Sequence, residues 1–359
     1  MIVTRCLAVG VWCLENYYLN RRFRDIIDPL NNQTSMFNII TIGDATVDNF
    51  LLIDHEEAKL QCGLDKDNCQ ICFNYADKIP ISQTTQSVGG NATNVAVGAS
   101  RLGLKSAIFT ELGDDVNGML VEQELTKAKV DCQFVNCNKN KETRYSIVMV
   151  YDSERTILSY HVKYNYKLPH LPSVEWIYYS SLGANFPKLQ DQLAKYLNKH
   201  PNSKLVINPG SAQIKTNLKK IKEIIPRAEI LFVNKEEAER IIGKQPSIAV
   251  SMQKFYNLGV KLSIITDGTK GSYAFDGQQM LHLPIFPIKP IDKTGAGDAF
   301  AIGLLSALHY KKDLAEAMRW GTANAGGVVQ KIGAEPGLQT RAGLQKILIK
   351  YKNITAKEI

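Results

Sequence analysis

ILFVNKEEAERIIGKQPSIAVSMQKFYNLGVKLSIIT, residues 230–266, opens and closes on a short apolar run. Ile230–Asn234 and Leu262–Thr266 are continuous and rich in β-branched residues, as strands buried on both faces are. Between them, Lys235–Ile242 and Ile248–Leu258 repeat apolar residues at helical spacing. A hairpin cannot join parallel strands, whereas a helical crossover can, so this stretch predicts a parallel pair. The rhythm continues on either side, with strands at Ala107–Glu111, Trp176–Ser180 and Leu205–Asn208, and helices at Thr93–Leu102, Val116–Ala128 and Leu189–Asn198. The expected fold class is therefore α/β, a mostly parallel central sheet flanked by helices on both faces. Ligands of such sheets gather at the carboxyl ends of the strands.

Two stretches break the alternation. Residues 50–88 and 141–161 hold strand-like pieces without long helices, among them Tyr145–Tyr151 and Thr156–Tyr160. Antiparallel strands inserted into the core predict a small β-sheet lid. Residues 1–35 lack periodicity and end in the turn-prone Asp28-Pro29-Leu30-Asn31-Asn32. They read as an N-terminal extension, poorly ordered or upstream of a natural start at Met36. Residues 36–352 then form one domain, and 353–359 a C-terminal tail.

A chain of 359 residues can bury a sizeable core, and its 45% hydrophobic and 22% charged residues exclude disorder, collagen and coiled coil. The net charge of +8 is concentrated at the ends: +1 in residues 1–35 and +4 in 340–359, leaving +3 for everything between. No basic stripe interleaved with aromatics appears, so no nucleic-acid partner is expected. No run is long and apolar enough to cross a membrane, and no membrane partner is expected. Cys6–Leu14, nine uncharged residues after Arg5, has a faint signal-peptide shape but no small-residue cleavage site. Seven cysteines are too few for a disulfide scaffold, which points to a cytoplasmic protein.

The sharpest motif is Asp292-Lys293-Thr294-Gly295-Ala296-Gly297-Asp298, followed by the apolar helical run Ala299–Leu308. A helix start presents unpaired N–H groups and the positive end of the dipole, and so suits an anion. Gly295 and Gly297 let the backbone approach a phosphate. Asp298, in the first turn, could take a proton from an attacking hydroxyl. An Asp beside loop glycines is also an ordinary helix start, and local sequence supports both. A second motif, Ser87-Val88-Gly89-Gly90-Asn91-Ala92-Thr93-Asn94, opens another helix with close-approach glycines and amides suited to hydroxyls. It too would serve as a plain helix start.

Together the motifs resemble the two signatures of the PfkB-type carbohydrate kinases, the ribokinase-like family. The first is similar to Gly89–Gly118, with Arg101-Leu102-Gly103 and Gly113–Gly118; the second is similar to Asp292–Ala299. The resemblance runs from about Met36 to Gly337. It implies an ATP-dependent kinase acting on a sugar hydroxyl, a phosphotransferase with an alcohol acceptor. Asp298 would be the general base, and Gly295, Ala296 and Gly297 the anion hole. Asn234 and Glu237 would organise Mg²⁺ through water. Asn208, Thr266, Gly268, Gly271 and Asn324 would line the ATP site. Asp48 would grip substrate hydroxyls, with Gly89, Gly90, Asn91 and Asn94 completing the pocket and Arg144 meeting a polar or acidic group. Asp292, Thr294 and Gly333 are compatible with the monovalent cation, K⁺, that some members use.

Cys62, Cys69 and Cys72 depart from the family pattern. Their spacing is open to zinc with His55, Cys132 or Cys137 as a fourth ligand, to free thiols, or to a disulfide. The expected partner is a small-molecule sugar or nucleoside. Alternatives are a nucleoside kinase and a catalytically silent sugar- or nucleotide-binding relative. An open lid edge also suggests a homodimer through the lid.

Overall fold

The computed structural model describes residues 37–62, 69–152 and 154–359; the expected 1–35 extension lies outside them. Sixteen strands fall into three sheets among the described residues. The lid strands are β2 (Thr46–Leu52), β5 (Gln83–Gly89), β8 (Tyr145–Tyr151) and β9 (Glu154–Tyr160), and β3 (Lys59–Cys62) with β4 (Cys69–Cys72) forms a separate hairpin. The large sheet holds β1 (Ile39–Ile42), β6 (Ser106–Gly113), β7 (Val135–Asn138), β10 (Trp176–Tyr179), β11 (Lys204–Ile207), β12 (Ile230–Asn234), β13 (Leu262–Thr266), β14 (Ser272–Phe275), β15 (Met280–Leu283) and β16 (Lys357–Glu358).

Its order is β16-β15-β14-β13-β12-β11-β10-β1-β6-β7. The run from β7 to β13 is parallel throughout, and β14, β15 and β16 close one side antiparallel. Alternation along a strand sends successive side chains to opposite faces. Ile40 and Ile42 of β1, with Ile177 and Tyr179 of β10, pack on one face against the helices Phe186–Lys199, Ser211–Ile224, Lys235–Ile242 and Ile248–Asn257. Ile39, Trp176 and Tyr178 face the other way, toward the helices Asn91–Arg101, Ala296–His309, Leu314–Val328 and Arg341–Lys350. Both faces are covered, which is why these strands read as unbroken apolar runs.

Two sequence expectations change. The tail expected from 353 onward is not loose: Lys357 and Glu358 pair with His282 and Leu281 of β15. The lid is mixed rather than antiparallel, since β2 pairs β5 antiparallel but β8 parallel, and it starts at Thr46 rather than at residue 50. Its β9 is exposed along its whole length, Ile157, Leu158 and Tyr160 included.

The cysteine expectation resolves toward a disulfide. Cys62 and Cys69 face each other across the hairpin and are bonded. Zinc needs thiolates, and a disulfide sulfur is not one. Cys72 lies instead beside Gln61, and no cluster of three or more metal-ligating side chains forms among the described residues. The zinc reading at Cys62, Cys69 and Cys72 is therefore corrected.

The helices Ala296–His309 and Leu314–Val328 touch backbone to backbone through glycine. A Cβ on Gly303 would sit 2.7 Å from the Trp320 carbonyl oxygen, and one on Gly321 2.8 Å from that of Phe300. Gly303→Ala is expected to destabilise the fold by about 1–3 kcal/mol in urea unfolding, because rigid backbone must shift. Gly297→Ala, where nothing lies within 4 Å of the added methyl, is expected to leave stability within about 0.5 kcal/mol.

Candidate active site

The loop after Ile291 turns into the helix Ala296–His309 at Gly295, whose φ of 73° lies in the left-handed region. Only glycine fits: the conformation disfavours a side chain, and a Cβ would run into Ala334. The first-turn N–H groups of the helix thus point past a backbone that is open at Gly297. Asp298 sits in that turn, 7% exposed. Burial pushes its carboxyl up to about 6; the bond from Asn94 opposes this, and the charge of Glu237 adds to it. Asn94 Nδ2 donates to Asp298 Oδ2 at 2.7 Å. Among the described residues nothing donates to the buried Asn94 Oδ1.

The same region receives the lid. Asp48, on β2, is held by Ser146 and Thr46 and half-buried, and burial raises its pKa. A Cβ on Gly89 would fall 2.5 Å from Asp48 Oδ2, so glycine keeps that carboxylate accessible. Gly90, at φ 100°, lies against the Asp44 carbonyl. Asn91 Nδ2 donates to Asn208 Oδ1 at 3.3 Å. Of these residues Asn94 meets Asp298, while Gly89 meets Asp48 and Asn91 meets Asn208.

Arg144 differs from expectation. Its guanidinium is paired with Asp44 and His161 rather than left for an acidic ligand. Asp44 also accepts from Tyr166 Oη at 2.8 Å and from the Gly183 N–H at 2.8 Å. Burial nevertheless raises the Asp44 pKa, with Arg144 the main opposing influence. Asp44, Tyr166 and His161 escaped the sequence reading. Only Asp44 carried a signal, its place at the carboxyl end of β1.

Asn208, Asn234 and Thr266 end three adjacent parallel strands, β11, β12 and β13, at the same edge. Asn234 and Glu237 form a capping box: Glu237 N–H donates to Asn234 Oδ1 at 2.8 Å, and Asn234 N–H to Glu237 Oε2 at 3.0 Å. The helix-start reading and the metal reading thus share the same atoms. Burial raises the Glu237 pKa, so a cation would be welcome there. A carboxylate and an amide oxygen are the hard donors Mg²⁺ takes. Gly271, at φ 95°, lies against the Leu283 carbonyl, and Gly268 is exposed with open space around it. Asn324 departs from expectation. It is 0% exposed, donates to the Ala299 carbonyl at 2.8 Å and accepts from the Gln339 N–H at 2.9 Å. Its amide joins two helices and the loop at Gln339 and is buried there.

Asp292, Thr294 and Gly333 do come together. Asp292 Oδ1 accepts from the Thr294 N–H at 2.9 Å and its hydroxyl at 2.6 Å, and Oδ2 from the Gly333 N–H at 2.9 Å. The sequence reading missed Arg155 of β9, which donates through Nη1 to Asp292 Oδ1 at 2.9 Å and to Thr294 Oγ1 at 2.6 Å. Burial alone would raise the Asp292 pKa; these donors and the Arg155 charge bring it below the ordinary range. Between lid and loop lies a cavity of about 700 Å³ lined by Phe50, Leu52, Thr85, Arg155 and Asp292 among others.

Residues 57–341 match the pfkB family carbohydrate kinases. The chain is 28% identical over 263 residues to a ribokinase of Haemophilus influenzae, covering 70% of this chain and 84% of that protein. It superposes on the nucleoside kinase of Methanocaldococcus jannaschii with a TM-score of 0.72 at 23% identity, over 89% of this chain and 100% of that one. An Arabidopsis thaliana ribokinase, solved with ribose and ATP, gives 0.69 at 22% identity over 88% and 99%. These two structures share the ribokinase-like fold with this chain. The extent of the family match, across most of the domain and both motifs, makes this chain a member of the pfkB carbohydrate kinase family, phosphotransferases with an alcohol group as acceptor.

Proposed function

We propose that the chain is an ATP-dependent sugar kinase in which Asp298 is the general base and Gly295–Gly297 the anion hole. One observation carries this reading: Asn94, in the first turn of the helix Asn91–Arg101, donates to Asp298 at the mouth of the second helix N-terminus. An acceptor hydroxyl, a base and the backbone donors for a phosphoryl group then converge. Asp48 accepts two sugar hydroxyls and orients the third oxygen. The free Asn94 Oδ1 supplies a further acceptor for a hydroxyl.

The attacking oxygen forms a bond to the ATP γ-phosphorus as the bond to the β-phosphate oxygen breaks, releasing ADP. Its proton passes to the Asp298 oxygen that Asn94 does not hold. The N–H groups at Ala296 and Gly297 meet the charge on the transferring phosphoryl oxygens, where positioning and electrostatics dominate. Asn234 and Glu237 would hold Mg²⁺, through water, and the ion would supply neutralisation of the phosphate charge. Asn208, Thr266, Gly268 and Gly271 would contact the nucleotide. The lid would exclude water that otherwise competes with the sugar.

Because Asp44 already neutralises Arg144, the acceptor is an uncharged sugar rather than a sugar phosphate. The likeness to a nucleoside kinase fold keeps nucleosides as the second class of acceptor, and a silent binding relative is the reading that turnover would eliminate. The exposed apolar β9 would pair two lids in a homodimer. No helix among the described residues is long and apolar enough to cross a membrane, and we place the enzyme in the cytoplasm. The exposed Cys62–Cys69 bond would be the part of the chain most open to reduction there.

Four outcomes test this. Asp298→Asn is expected to lower kcat by about 10²–10⁴-fold with ATP still bound, and near-normal turnover refutes the base. The same variant should be more stable at pH 7. The folded carboxyl holds its proton up to about pH 6 against an ordinary value of 3.8, so stability is lost as pH rises through that window. The ionised native carboxylate then costs up to roughly 3 kcal/mol at pH 7, which asparagine avoids; urea unfolding at pH 4 and pH 7 measures the difference. In native enzyme, kcat/KM should rise about tenfold per pH unit up to about pH 6 and level off above, as for a base that works ionised. ADP release across free sugars, sugar phosphates and nucleosides identifies the acceptor, with an uncharged sugar expected to turn over fastest.

A further inference from the structure

The side chains expected beside a monovalent cation already hold another cation. A carboxylate offers about four acceptor positions. On Asp292 the Oδ1 is fully engaged, taking the Thr294 N–H, the Thr294 hydroxyl and Arg155 Nη1, while Oδ2 takes the Gly333 N–H. Thr294 Oγ1 accepts from Arg155 at 2.6 Å while donating to Asp292. The positive charge an alkali ion would bring is therefore already present, delivered by a side chain of the lid.

We infer that the Arg155 guanidinium is the built-in cation of this enzyme, ordering the Asp292–Gly295 turn beneath the anion hole in place of a bound monovalent ion. The inference rests on the kinase reading above and adds a positioning residue to it. Thr294 directly precedes Gly295, so whatever fixes Asp292 and Thr294 fixes the backbone that aims the first-turn N–H groups. The Gly333 N–H extends the same brace to the neighbouring loop, where a Cβ would sit 2.9 Å from Ser87 Oγ of the lid. Lys293 and Glu154, one residue along each partner, pair at 3.2 Å and seat the same junction. Arg155 also lies within electrostatic reach of Asp48, so one charge serves the acceptor carboxylate and the anion-hole turn together.

A fixed guanidinium differs from a soluble ion in one respect: its presence depends on the lid. With the lid seated, Asp292 is neutralised; with the lid away, the carboxylate stands alone and the turn loses its brace. The lid would thus couple acceptor binding at Asp48 to completion of the anion hole, and ATP would meet an ordered hole only when the sugar is in place.

The test compares native enzyme and Arg155→Met in buffers whose cation is either K⁺ or tetramethylammonium. Native kcat is expected to be equal in the two within about twofold. Arg155→Met is expected to lose about tenfold or more in tetramethylammonium and to recover on addition of KCl, an outcome that loss of a merely structural contact would not give. The companion readout needs no turnover: titration with Tl⁺, a K⁺ mimic followed by its NMR signal, should detect a site in Arg155→Met and none in native protein. Native enzyme that needs K⁺, or that binds Tl⁺ as the variant does, overturns the inference, and that measurement requires no variant to fold. If native enzyme phosphorylates no acceptor in either buffer, the kinase reading fails while the Tl⁺ comparison still decides the role of Arg155.

Discussion

A carboxylate taken out of water has to be neutralised, hydrogen-bonded or protonated, and Asp298 is given one side-chain donor, Asn94 Nδ2. That bond spans two elements far apart in sequence, the helix after the lid and the helix after the glycine turn. It fixes the distance between the acceptor side of the site and the phosphate side. One donor is too few to return the group to ordinary acidity, and the carboxyl stays near 6. A carboxyl at that value is ionised at neutral pH yet still attracts a proton, which is what the proposed role as base requires. The proposed role depends on this compromise, since a better-solvated Asp298 would attract a proton less and a fully desolvated one would already be protonated.

The lid treats its arginines consistently. Arg144 is neutralised by Asp44 at the acceptor end, and Arg155 by Asp292 at the phosphate end. Neither guanidinium is a free anion receptor, and both are bound to the edge of the core that supports them. These partly buried pairs do more than exposed pairs of the same length, which are screened and contribute little. They tie the lid to the core beside the apolar contacts that Val47 and Val88 make with it.

Periodicity carried the core in the sequence because both faces of the sheet are covered: Ile230–Asn234 and Leu262–Thr266 have no solvent side to blur the pattern. The lid was legible as an interruption, but not its mixed pairing, since nothing in residues 46–52 says which neighbour runs parallel. Gly89, Gly90 and Gly295 were legible through glycine itself, and each is confined by a neighbour that a Cβ would strike. Asn324 was misread because a motif position says nothing of which way an amide points. Arg155 was invisible for a different reason. It lies 137 residues from Asp292, and a charge in an exposed strand carries no local mark of its partner.

The way the lid joins the core limits how it can move. β2 begins at Thr46, immediately after Ala45, whose N–H is held by Thr110 Oγ1 at 2.9 Å. β5 ends at Gly89, and Gly90 is wedged against the Asp44 carbonyl. These two connections lie at one end of the lid and are tight, and the start of β8 and the end of β9 join the core at the same end. Asp48 sits beside this end, and its distance from the core changes little however the lid swings. Arg155 pairs with Val150, which is opposite Leu52, so it lies at the other end. Six residues of strand at about 3.3 Å each put it about 20 Å from the hinge. Asp48 thus lies near the end of the lid that joins the core, and Arg155, which pairs with Asp292, near the end away from it.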